Sequence, residues 1–127
     1  MTETEIPRTL AIDETDRLIA SDKVEGTRVY DRQGHKLGTV MNFMVDKRTG
    51  QAEYAVMEFG GLLGFDREYY PLPWAMLHYE PLQGGYVVDL DKERLKSAPH
   101  YRGDAPGFDE AFGREIHGYY GFAYPFF

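Results

Sequence analysis

The 127 residues fit one domain, and 43% hydrophobic against 28% charged residues suits a folded chain rather than a disordered one. A net charge of −7 without a basic cluster argues against nucleic acid, whose affinity comes largely from Lys and Arg displacing counterions. The absence of cysteine removes disulfides, thiolate nucleophiles, zinc-finger ligand sets and iron–sulfur ligation together.

In chain order, residues 1–17 are acidic and polar with scattered apolar positions, and read as a flexible arm rather than a signal or transit peptide. No run approaches the roughly 18 apolar residues that span a bilayer, so no membrane span and a cytoplasmic location are expected. Ser21, ahead of Asp22-Lys23-Val24-Glu25, reads as a helix N-cap with Val24 pointing inward. Two turns follow, Asp31 to Gly34 and Asp46 to Gly50. Each opens on an Asp that can bond the backbone two residues on and closes on a Gly. Between them residues 37–46 alternate imperfectly, which predicts a bulge near Asn42. Residues 53–59 (EYAVMEF) complete a β-hairpin with a loop of four or five residues.

Glycines at 60, 61 and 64 break that strand. Residues 69–79 come next, with Pro71 and Pro73 limiting them to an edge pairing. Gly84-Gly85 turns the chain into a strand over 86–90, and Asp91 caps a short helix, Lys92 to Lys96. Short strands at this spacing argue for a small barrel or sandwich. The organisation is then an arm (1–17), a β domain (18–100) and an aromatic-rich C-terminal extension (101–127).

The extension holds nearly half of the chain's aromatic residues in about a fifth of its length. Asp109 can cap a helix running through Ile116, with Gly118 stopping it. Phe108, Phe112 and Ile116 then recur at four-residue steps on one face. Such a stripe must cover something: its own barrel, a second copy in a homodimer or larger homo-oligomer, or a different protein or membrane surface. Candidate protein-contact residues are Tyr70 and Trp74 in the barrel, and Phe108, Phe112, Ile116, Tyr119, Tyr120 and Phe122 in the extension.

No catalytic set is visible. The glycine-rich stretch at 60–64 lacks the Lys-Ser/Thr and helix of a phosphate-binding loop. His35, His78, His100 and His117 are spaced too widely for a metal, so no metal or cofactor is expected. The acidic clusters at Asp13-Glu14-Asp16 and Asp89-Asp91-Glu93 are explained by solvation and capping. Neither Ser21 nor Ser97 sits in a nucleophile elbow.

Six stretches, in order and spacing, resemble the PRC-barrel family: 18–30 (LIASDKVEGTRVY), 34–40 (GHKLGTV), 46–50 (DKRTG), 55–64 (AVMEFGGLLG), 70–79 (YPLPWAMLHY) and 85–90 (GYVVDL). The tail FGREIHGYYG is similar to tails of free-standing bacterial members. The resemblance implies a mainly β fold, a small six-stranded β-barrel with short helices and an aromatic C-terminal extension. It also implies a non-enzymatic protein-binding or assembly module, and self-association is expected. An alternative is a small-ligand binder or minor enzyme with a barrel-end pocket lined by tyrosines. A further one, by family analogy, is an accessory role in ribosome assembly or a photosynthetic complex.

Overall fold

The structure, a computed structural model, describes residues 14–15, 17–60, 67–104 and 106–125. The arm up to residue 13 and the glycine-rich stretch from 61 to 64 lie outside the described residues. Among the described residues there are six strands: β1 (Arg28–Tyr30), β2 (Lys36–Val45), β3 (Ala52–Gly60), β4 (Arg67–Pro73), β5 (His78–Glu80) and β6 (Gly85–Val87). Three helices accompany them, α1 (Ser21–Val24), α2 (Lys92–Lys96) and α3 (Glu110–Tyr120), with a 3-10 turn at Trp74–Met76.

Both Asp-to-Gly turns form by the mechanism their residues dictate. Asp31 Oδ1 accepts from the Gln33 and His35 amides, each at 2.9 Å, and Asp46 Oδ1 accepts from the Arg48 amide at 2.7 Å. Gly34 and Gly50 close the turns at φ of 88° and 77°, a region that side chains rarely enter. The second turn joins β2 to β3, and the pairing steps from Val40↔Met57 to Asn42↔Val56. Met41 is the extra residue, so the expected bulge is present.

The strands make one mixed sheet in the order β4-β3-β2-β1-β6-β5, antiparallel except for the parallel β1–β6 pair. Only four residues separate the two edge strands β4 and β5 along the chain. They reach at most about 17 Å, whereas six flat strands would place the edges roughly 24 Å apart. The sheet must therefore roll. Trp74, just after β4, accordingly meets Tyr86 of β6 at 5.7 Å between ring centroids. Val29, Val40, Ala55, Met57 and Leu72 are 0–1% exposed and fill the rolled interior.

The six-stranded sheet is thus as expected, but it is rolled rather than closed. Its outer β4 edge explains why. Tyr69 exchanges both backbone hydrogen bonds with Tyr101, so Tyr69, and with it Pro71 and Pro73 two and four residues on, turn away from β3. Proline has no N–H to offer on that side. The free edge of β4 lacks the donors that another strand would need.

Three local expectations change. The N-cap of α1 is Ala20, in extended conformation, and Ser21 is already the first helical residue, so it caps nothing; Val24 does point inward, at 2% exposure. The strand expected over 86–90 is a strand only at Gly85–Val87, where β5 supplies three partners, though Val88 and Leu90 beyond it are buried. Finally, α3 passes through Gly118 and ends at Gly121, whose left-handed conformation terminates it.

Candidate functional site

Two features lie outside the rolled sheet's interior: the face of β3 and β4 that carries Tyr54, and the seam between the sheet edges. The extension occupies the first. Asp109 caps α3 by accepting from the Phe112 amide at 2.9 Å, and Glu110 pairs with Arg114 one turn on at 2.7 Å. The helix then packs on β4. Gly113 sits at the closest approach, where an added Cβ would stand 2.9 Å from Tyr54 Oη and 2.6 Å from the Tyr124 ring. A larger residue would have to push the Tyr54 and Tyr124 side chains aside.

Ile116, His117 and Tyr120 supply the buried side of α3, at 0%, 4% and 7% exposure. His117 Nδ1 lies 2.9 Å from the Gly113 carbonyl, which can only accept, so that nitrogen carries a hydrogen. Tyr54 Oη is 3.4 Å from the same nitrogen, and the two rings meet edge-on at 5.2 Å. Burial pushes the Tyr54 phenol up to about 12, helped by the nearby Tyr124 and Glu53. Phe108 bridges Tyr54 and Phe112, with centroids 5.6 Å from each. The expected stripe is real, though Phe108 lies just before the helix.

Where the extension's end meets the sheet there is a groove of about 230 Å³, lined by Ala52, Pro73, Trp74, Phe122, Ala123 and Pro125 among others. Its apolar character continues across the sheet. Val45 pairs with Ala52 and Met44 with Tyr54, and the two are 44% and 39% exposed, beside Phe122 at 37%.

The seam holds a larger cleft of about 520 Å³. Met76, Val87 and Phe122 line it together with Arg32, Arg94 and Glu80. Arg94 lies over the rings of Tyr119 and Tyr120 and donates to the Tyr119 carbonyl at 3.1 Å. Tyr120 also lines the cleft, and its buried hydroxyl has no hydrogen-bond partner. Burial raises its pKa. Carboxylates with displaced pKa lie elsewhere. Glu68 is held low chiefly by Arg102 and by the Tyr70 hydroxyl, which donates to it at 2.8 Å. Burial would raise Asp31, but the His35 amide and ring and the Gln33 amide outweigh that and leave it lowered. Glu14 is lowered, most strongly by Lys23 at 2.9 Å.

The PRC-barrel domain family matches residues 16–95, well over half of the chain. The chain belongs to the PRC-barrel family. A search of curated proteins finds no match. PRC-barrel domains are protein-interaction modules and are generally non-catalytic. Among the described residues of this PRC-barrel protein, no helix is long and apolar enough to cross a membrane, and no cluster of three or more His, Cys, Asp or Glu could hold a metal ion.

Of the contact residues expected from sequence, Tyr70, Ile116 and Tyr120 are buried in the chain's own core. Trp74, Phe108, Phe112 and Tyr119 are partly buried against it, and Phe122 is exposed. Trp74 is wedged between Phe43 and Tyr86, at 5.7 Å from each. Sequence reasoning missed Met44 and Val45. A second register shift falls between Met44 and Val45, and both of these consecutive residues are exposed.

Proposed function

We propose that this PRC-barrel protein is a non-enzymatic contact module that associates with a second copy through the apolar groove and its rim. One observation carries the reading. Val45, Met44 and Phe122 are exposed next to a groove walled by Ala52, Trp74 and Pro125, so apolar surface from β2, β3 and the extension converges on one place. Of the expected contact residues, Trp74 and Phe122 form this surface, with Phe112 and Tyr119 partly open beside the core. Tyr70, Ile116 and Tyr120 belong to the chain's own core.

Sedimentation of the full chain tests the proposal. Self-association is expected, and Val45→Lys combined with Phe122→Glu should weaken it by about tenfold or more, since buried rim contacts of this kind are worth 1–2 kcal/mol each. A full chain that stays monomeric at every concentration, or an unchanged dimer in the double variant, rejects it. Surface substitutions are the right tool here. Ending the chain near Pro99 would strip Ile116 and Tyr120 out of the core and confound contact with unfolding.

A second reading, a small-ligand site, draws on the seam cleft. Its size falls within the range of small-molecule pockets, and Arg32, Glu80 and Arg94 give it polar groups. Against an acid–base role stands the placement of Glu14, Asp31 and Glu68, the carboxylates with displaced pKa, outside its walls. Resonance shifts on Met76 and Val87 during a screen of small organic ligands, lost in Tyr120→Phe, would favour this reading.

A further inference from the structure

The extension is built unlike an ordinary last helix of a core. It carries its own caps at both ends, Asp109 and Gly121, and its own Glu110–Arg114 pair, so much of its local stabilisation travels with it. It is tied to the barrel by a short exposed connection. Tyr101 is bridged to Tyr69 and Arg102 is paired with Glu68, but Gly103, Asp104 and Gly107 are exposed. These three and Pro106 make no hydrogen bond among the described residues. Directly after them Phe108 takes a left-handed backbone, φ 53°, that a non-glycine residue holds only when its surroundings impose it.

The seat that receives this helix is specific. Tyr54 presents a ring and a hydroxyl to a helix that has glycine at the crossing point, a His one turn later and an aromatic residue before its first turn. The one partner known to satisfy these demands is α3 itself. A second copy carries the same helix, the same caps and the same connection.

We propose that residues 108–125 are an exchangeable arm, which a second copy can place on the Tyr54 face in trans while this chain's arm docks on the other copy. This rests on the reading that the chain pairs with a second copy, but places the joining contacts in the Tyr54 seat rather than on the groove rim. Exchange re-forms every contact between arm and sheet, so what opposes it is the entropy of joining two chains. The connection sets that balance. A tether of this length holds the arm at an effective concentration of the order of 1 mM, so the natural chain should exchange only near that concentration. Removing residues 103–107 leaves a tether too short to turn back, and exchange should then appear at micromolar concentrations, ~10³-fold lower.

The chain has no cysteine, which makes cross-linking unambiguous. Ala52 and Ala123 line the same groove, one from the sheet and one from the arm. A chain carrying Ala52→Cys is mixed with one carrying Ala123→Cys and treated with a short bismaleimide. The experiment is done with the natural connection at about 1 mM and with the shortened one at micromolar concentration. A chain carrying both substitutions and the natural connection serves as the within-chain control. The expected result is a heterodimer linked between positions 52 and 123 in both mixtures, and none with the natural connection at micromolar concentration, where a dimer joined only through the groove rim would still link.

A dimer in sedimentation without that cross-link overturns exchange and leaves self-association standing. A monomer that cross-links only within the doubly substituted chain overturns both. If the shortened chain does not fold, the mixture with the natural connection decides alone, and absence of the inter-chain link there rejects the arm.

Discussion

The rolled sheet and the C-terminal extension are stabilised by different physics. The sheet interior is apolar and tightly filled: Val29, Ala55, Met57 and Leu72 are all fully buried, and the ladder satisfies the backbone between strands. The extension docks through aromatic edges, a histidine and a glycine crossing, while each region holds one buried polar atom without a partner among the described residues, Asn42 Oδ1 and Tyr120 Oη. The first kind of packing makes one cooperative unit. The second makes a unit that can part from the first at lower free energy. In a PRC-barrel protein that acts by contact, this division places adaptability in the extension.

The largest effect should come from Leu72→Ala. It empties a fully buried site in the sheet and should cost about 3–5 kcal/mol, lowering the denaturation midpoint seen by every probe at once. Ile116→Ala removes an equally buried side chain, but from the extension. Hydrogen exchange should then speed up across α3 while β2 and β3 keep their protection. Equal acceleration in both regions would erase the distinction between them.

A smaller effect is expected on alkaline titration. Tyr54 ionises in the unfolded chain near pH 10 and in the folded chain at about 12. Its neutral form is favoured in the fold, so that stabilisation is complete below pH 10 and is lost as pH rises through 12. Phenolate absorbance should therefore appear together with loss of α3 protection in that window, and before the sheet unfolds. Tyr54→Phe should remove the coupling. The smallest effect belongs to Tyr120→Phe. Because the hydroxyl is buried without a partner, its removal should leave stability unchanged or raise it by up to about 1 kcal/mol, read from the denaturation midpoint. A loss greater than that would mean the hydroxyl is bonded in solution.

What could be read from the sequence was local. The Asp31 and Asp46 turns and the Asp91 and Asp109 caps each depend on residues within four or five positions of one another, and the hairpin with its bulge joins two runs that are neighbours along the chain. The order of six motifs pointed to the family. Pairings between distant segments were not legible, because no periodicity in residues 28–30 names residues 85–87 as the parallel partner. Burial in the extension was equally hidden. Ile116 and Phe112 look alike on a helical projection, yet one is sealed in the core and the other is half open, and only the position of β4 decides which. Ser21 was misread for a related reason: the motif of a cap was present, but the helix began one residue early.

Pro71 and Pro73 have a consequence for folding as well as for the edge. They sit where a missing N–H is harmless only because β4 is in its native register with β3. Sliding β4 by one position would aim both gaps at β3, leaving carbonyls of the hairpin unanswered and turning Leu72 out into water. Each orphaned group would cost about 1–3 kcal/mol. The two prolines thus serve as a key cut for one alignment, and a chain that has threaded β4 wrongly is driven to try again.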